Sequence, residues 1–97
     1  MTPLHGLVIP RRHVVDYFDL HGSEVRAMHR LLEKVRMGIV GADPSVRAFN
    51  IGVNSGPLAG QSVLHAHVHL IPRRAGDVDK PRGGVRATIP GKGDYLS

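Results

Sequence analysis

Gln61-Ser62-Val63-Leu64-His65-Ala66-His67-Val68-His69-Leu70-Ile71-Pro72 places three histidines at every second position, with small or apolar residues between them. An extended chain sends alternate side chains to opposite faces, so His65, His67 and His69 share one surface while Ala66, Val68 and Leu70 face the other. The second set predicts contact with a core. The stretch therefore reads as a strand with one buried face, preceded by a Gly60-Gln61-Ser62 turn. A single histidine in a strand is ordinarily a satisfied or solvated polar residue. Three in strict alternation gather titratable rings on one face with no gain in packing, which directs attention to chemistry. Two chemistries fit. The histidines converge on zinc or another transition metal, or one is a nucleophile flanked by two helpers, with the turn giving donors to an anionic substrate. Spacing alone does not separate them.

The residues around this strand set its context. Asn54 to Gln61 is a glycine-rich loop, and Arg47 to Val53 before it has the character of a strand. Phe49, Ile51 and Val53 lie on one side of that strand and Ala48, Asn50 and Gly52 on the other, and the two strands form a hairpin. Further upstream, Val25, Met28, Leu32, Val35 and Ile39 recur at helical spacing, predicting an amphipathic helix over about residues 23–40. Gly41 and Pro44 are its stop signals. Arg26, Arg30, Glu33, Lys34 and Arg36 occupy its other faces as solvated surface. Leu7-Val8-Ile9 is a short strand closed by Pro10, with Arg11 and Arg12 in the turn, and Asp16 to Gly22 is an irregular connection. The fold class is α+β, an antiparallel sheet with one main amphipathic helix. Residues 1–76 form one domain, and residues 77–97 form a Gly/Pro-rich tail without a period. Within the tail, Pro81-Arg82-Gly83-Gly84-Val85-Arg86 reads as a solvated turn rather than as an arm carrying Arg82 or Arg86 to a phosphate.

Composition narrows the function. The chain of 97 residues has room for one core. It contains no cysteine, so a disulfide framework and a thiolate metal site are both excluded. No run is long and apolar enough to span a membrane, and no signal-peptide pattern opens the sequence, so a cytoplasmic protein with no membrane partner is expected. Thirteen basic against eight acidic residues give a net charge of +5, which suits an anionic ligand such as a polyphosphate. Nucleic acid is a poorer fit. The four large aromatics, Tyr17, Phe18, Phe49 and Tyr95, do not interleave with a basic cluster.

Gly60-Gln61-Ser62-Val63, followed by His-x-His-x-His, an apolar pair and Pro72-Arg73, resembles the histidine triad superfamily of nucleotide hydrolases and transferases. His5-Gly6-Leu7-Val8-Ile9-Pro10-Arg11-Arg12-His13 is similar to that family's upstream strand and turn, and Asn50 to Asn54 to the strand before its phosphate loop. Arg73-Arg74-Ala75-Gly76-Asp77 is similar to the fragile histidine triad branch, which cleaves dinucleoside polyphosphates. The resemblance runs from about the first residue to about Asp77.

The resemblance implies roles. His67, the middle histidine, is the nucleophile, His69 contacts the phosphate or leaving group, His65 orients the ring of His67, and His5 is a fourth histidine packed near the triad. Asn54, Gly60, Gln61, Ser62 and Val63 match positions that contact ribose or phosphate. Asn50 reads more simply as a strand residue bonded to backbone. Zinc-carrying relatives place a histidine equivalent to His13 on the metal with the first triad histidine and two cysteines. Those cysteines are absent, so no structural metal is expected, and no cofactor is implied. The implied activity is hydrolysis of a dinucleoside polyphosphate such as diadenosine tetraphosphate at the α-phosphate, through a nucleotidyl-histidine. Nucleoside phosphoramidase activity and non-catalytic nucleotide binding are the alternatives. Relatives pair through the helix and adjoining strand, which implies a homodimer. They also carry a further segment before the strand at Leu7. The domain is thus expected to be N-terminally shortened, with an intact triad and impaired base recognition.

Overall fold

The computed structural model describes residues 4–77 together with Gly84 and Val85. Strand β1 (Gly6–Val8) is followed by a 3-10 turn at Tyr17–Asp19, helix α1 (Gly22–Ala42), strand β2 (Val46–Gly52), a second 3-10 turn at Pro57–Ala59 and strand β3 (Val68–Arg74). The sheet is antiparallel in the order β1-β3-β2, so the strand that carries His69 lies in the middle. Gly6 faces Leu70 on one side, and Ile51 faces Leu70 on the other. Pro72 has no N–H to give to a ladder. It lies past the end of β1, where β3 is paired on the β2 side alone. The greater part of the expected tail, residues 78–83 and 86–97, lies outside the described residues, as do Arg82 and Arg86.

Helix α1 covers one face of the sheet. Val8, Met28 and Val68 form one buried cluster, with Tyr17, Leu20 and Val53 at its margin. Ile39, Val46 and Leu70 form a second, and Leu32 packs against both. The helical stripe thus packs as its spacing predicts through Met28, Leu32, Val35 and Ile39, whereas Val25 stays exposed at the N-terminal end. The helix runs through Gly41 and stops at Ala42, where the Asp43 N–H reaches the Ile39 carbonyl and Pro44 bars another turn. Strand β2 begins one residue earlier than expected. A register shift between Val46 and Ala48 lets Val46 turn into the core beside Ile39, a placement that simple alternation assigns to the opposite face.

Both ends of α1 are tied to the sheet side of the molecule by charge. Arg12 donates from Nε and Nη2 to the two carboxylate oxygens of Glu24, which also accepts from the His21 N–H at 2.7 Å. These bonds hold the Glu24 carboxyl at about 2, well below its usual 4.5. At the other end, Asp43 accepts from the Ser45 hydroxyl and N–H and from Arg74 at the end of β3. Arg12 and Arg74 are therefore structural cations.

The loop before β3 is braced from within. Gln61 is the one buried polar side chain of the described residues, 7% exposed. Its Oε1 accepts from the Gly56 N–H at 2.9 Å, and its Nε2 donates to the carbonyls of Val15 and Val63. Gly56 and Gly60 adopt φ of +90° and +96°, a conformation that disfavours any side chain. The loop is in turn fastened to the β1–α1 connection, where Asp16 accepts from the Ser55 hydroxyl at 2.7 Å. Replacing Gln61 by leucine keeps the volume but strands an N–H and two carbonyls. Gln61→Leu is expected to lower the unfolding free energy by about 1–3 kcal/mol. Urea unfolding measures this directly, and an unchanged midpoint contradicts the bracing role.

Candidate functional site

The side chains of residues 65–70 alternate as the sequence predicts. Ala66, Val68 and Leu70 are 1%, 5% and 1% exposed, while His65, His67 and His69 are half-buried on the other face. The backbone differs from expectation. Only His69 lies within β3, which begins at Val68, so His65 and His67 stand just ahead of the ladder. The reason is local. The Ala66 N–H bonds to the Val14 carbonyl at 2.6 Å and Gln61 bonds to Val15. This part of the chain bends at Val63–His65 and is held at both its ends by the β1–α1 connection rather than by another strand.

The ring nitrogens have defined partners. His67 Nδ1 lies 2.8 Å from the His65 carbonyl oxygen. A carbonyl only accepts, so Nδ1 carries the hydrogen and donates. In the neutral ring, Nε2 is then left with its lone pair. His65 Nε2 donates in the same way to the Pro10 carbonyl at 3.1 Å, which fixes its ring against the turn after β1. His69 Nδ1 meets His5 Nε2 at 2.9 Å, an imidazole–imidazole bond in which one ring must donate and the other accept. The His67 and His69 rings lie edge to face with centroids 4.9 Å apart, and His5 and His69 do so at 5.1 Å. Burial first, and then the neighbouring His67 and His5, hold the pKa of His69 below 6.5. Charging one ring in this row disfavours charging the next. Among the described residues, His13 has a ring contact with His65 alone, with centroids 5.1 Å apart. Among the described residues no group of three or more His, Asp or Glu side chains is arranged to hold a metal ion.

The remaining residues singled out from the sequence divide into two kinds. Asn54, Gly60, Ser62 and Val63 are exposed beside or ahead of the triad. Among the described residues, the N–H groups of Ser62 and Val63 have no protein acceptor, whereas that of Gln61 is given to the Gly56 carbonyl. Gln61 thus has both its side chain and its N–H committed to the loop. Asn50 does more than bond backbone. Its Oδ1 accepts from Arg73 Nη1, and Arg73 in turn donates to both oxygens of Asp77.

A cleft of about 760 Å³ opens from His5 and His69 and runs over Asn50, Gly52, Asn54 and Ile71, with Leu58 and Val85 at its sides. Sequence reasoning did not single out Leu58, Ile71 or Val85. The signal for Ile71 is its place two residues beyond His69 on the same face. A second, apolar cavity of about 480 Å³ lies between α1 and the end of β2, lined by Tyr17, Phe18, Met28 and Leu32 among others, and none of the triad histidines borders it.

Known proteins resemble the chain in sequence and fold. The HIT domain family model matches residues 1–76. The bifunctional bis(5'-adenosyl)-triphosphatase/adenylylsulfatase FHIT of Arabidopsis thaliana is 34% identical over 80 residues, covering 82% of this chain and 44% of that protein. The asymmetrical bis(5'-nucleosyl)-tetraphosphatase of Schizosaccharomyces pombe is 43% identical over 77 residues, covering 79% of this chain and 42% of that protein. The chain therefore spans less than half the length of these two relatives. The crystal structure of a HIT family protein from Bacillus anthracis superposes with a TM-score of 0.70 at 37% identity, over 81% of this chain and 59% of that one. With its helix, its antiparallel sheet and its three alternating histidines all falling inside the matched residues, the chain belongs to the HIT family.

Proposed function

We propose that this protein hydrolyses dinucleoside polyphosphates at the α-phosphate through a covalent nucleotidyl intermediate on His67. The observation that carries the reading is the bond from His67 Nδ1 to the His65 carbonyl. It leaves Nε2 as the free lone pair and holds the Nδ1 proton where it stabilises positive charge as a new N–P bond forms. The enzymes acting on bis-nucleosyl substrates among the relatives support the choice of substrate class.

In the first step Nε2 attacks the α-phosphorus and the P–O bond to the departing polyphosphate breaks. With His5 Nε2–H donating to His69 Nδ1, the proton of neutral His69 sits on its own Nε2, available to a phosphoryl or departing oxygen. The N–H groups of Ser62 and Val63 are further neutral donors for the phosphoryl oxygens. In the second step water attacks phosphorus, the N–P bond breaks, and His67 returns to its starting tautomer. His67→Ala is expected to abolish turnover of diadenosine tetraphosphate. Intact mass after a brief incubation, quenched at neutral or mildly alkaline pH, is expected to show an AMP-sized adduct on the parent chain only. Full activity in the variant contradicts the mechanism.

The direction of the His69 shift gives a pH dependence. Well above 6.5 the ring is neutral in folded and unfolded chains alike. As pH falls below 6.5 the unfolded chain binds a proton first, because the folded site resists it, so stability declines on acidification down through the lowered value. The unfolding free energy is expected to rise with pH across this window, and His69→Gln to flatten that part of the profile. Turnover is expected to fall over the same range. A parent profile that is level or inverted there contradicts the assignment.

The assembly proposed with this activity is a homodimer. Strands β1 and β2 are the outer strands of the described sheet, and Met37 and Val40 are exposed on α1. Exposed strand edges favour pairing with another chain. Light scattering during size-exclusion chromatography is expected to give the mass of two chains, and a one-chain mass at every concentration tried contradicts it.

A further inference from the structure

The cleft beside His69 has a wall contributed from beyond the matched domain. On β3, Val68, Leu70 and Pro72 face the helix, so His69, Ile71 and Arg73 face away from it. Their direct neighbours on β2 are Gly52, Asn50 and Ala48. The helix-free face beside His69 is therefore low, because Gly52 has no side chain and a Cβ built there meets nothing within 4 Å. The chain returns over this face at Gly84. Its φ is +49°, and a Cβ at that position would come within 3.2 Å of Asn50 Nδ2, so its backbone packs directly on the Asn50 amide. That amide is held from below by Arg73, itself clamped by Asp77. Gly84 thus rests on the clamped Asn50 amide, and Val85 follows it in the chain. Val85 then faces the cleft, with Leu58 also lining it and Ile71 and Gly52 in its floor.

We infer that Val85 and Leu58 form an apolar slot for the departing nucleoside of a dinucleoside polyphosphate, and that Val85 is a specificity-determining residue for it. The inference rests on the reading of His67 as the nucleophile. In-line displacement puts the leaving oxygen on the side of phosphorus away from the attacking nitrogen. The cleft is bordered by His69 and His5 but not by His67, so it lies where the departing portion goes. Its chemistry suits a base and ribose. Ile51, Leu58, Ile71 and Val85 offer apolar surface to a flat ring, and the Asn54 side chain offers a polar group at the edge. A bare polyphosphate chain would gain nothing from these side chains.

The test separates the second nucleoside from the charge it is attached to. Diadenosine tetraphosphate and adenosine 5'-tetraphosphate share one nucleoside and a four-phosphate chain, and differ in the second nucleoside. Their affinities are measured by titration calorimetry in the His67→Ala background, which prevents turnover during the titration. Val85→Ser and Leu58→Ser, both at exposed positions, are added singly, and far-UV circular dichroism checks that each chain folds. Each is expected to weaken diadenosine tetraphosphate about tenfold, the scale of losing an apolar contact in a pocket, while leaving adenosine 5'-tetraphosphate within about twofold. Gly84→Ala, which pushes the segment off Asn50, is expected to act in the same direction. Equal losses for both ligands, no loss for either, or no binding of diadenosine tetraphosphate to the background chain overturns the inference. Turnover by the chain with His67 intact is assayed separately. A slot without catalysis and catalysis without this slot then give different results.

Discussion

Burial of Ala66, Val68 and Leu70, the last two packed with Met28 and Ile39 of α1, determines which way the histidines point. Leu70 sits at the centre of the middle strand, flanked by Gly6 and Ile51 and packed under Ile39 and Val46. A shift of one residue would expose these three side chains and drive His65, His67 and His69 into the core. Removing three polar rings from water without partners is far costlier than any contact they make on the open face. The hydrophobic term thus selects the register, and the register places the chemistry. Nothing in the histidines themselves is needed to put them on one face.

What the histidines need is control of their protons, and the fold gives it with backbone oxygens and one another. Two carbonyls, those of His65 and Pro10, dictate the tautomers of His67 and His65. These acceptors belong to the segment just before β3 and to the turn after β1. Their positions depend on how the bent run of residues 61–66 is fastened to the β1–α1 connection. The Gln61 brace and the Ala66–Val14 bond hold that run in place.

The alternation at residues 65–70 and the stripe from Met28 to Ile39 were legible in the sequence because each is a periodic pattern of burial, and burial has one sign. The helix end was less so. Gly41 is a weak stop while a free i−4 carbonyl remains, and the steric bar comes only with Pro44. Val46 was left outside the expected strand, and its turn into the core follows from a bulge, which changes the parity of a strand and leaves no mark in composition. The role of Gln61 was hidden for a different reason. An amide that braces a loop and an amide that meets a ligand look alike in sequence, and only the positions of Gly56, Val15 and Val63 tell them apart. The Arg73–Asn50 contact and the return of the chain at Gly84 are long-range and carry no local signature.

The net charge of +5 suggested cations as the means of holding a polyphosphate, and the placement of the arginines redirects that argument. Arg12 is engaged with Glu24, Arg73 with Asp77 and Asn50, and Arg74 with Asp43. Each is tied to a structural carboxylate at the end of a helix or strand. His69, which the proposed mechanism sets at a phosphoryl oxygen, is held toward its neutral form. Among the described residues, the arginines bonded near the sheet are thus engaged with carboxylates, and the triad presents oriented N–H dipoles. A neutral donor that is already aimed costs no reorganisation when charge develops on phosphorus, and it does not hold the anionic product as a fixed cation would. In the proposed reaction such a site favours the redistribution of charge over tight capture of the ends. The surplus of basic residues is left to act at longer range, raising the local concentration of an anionic ligand through the field of the whole chain.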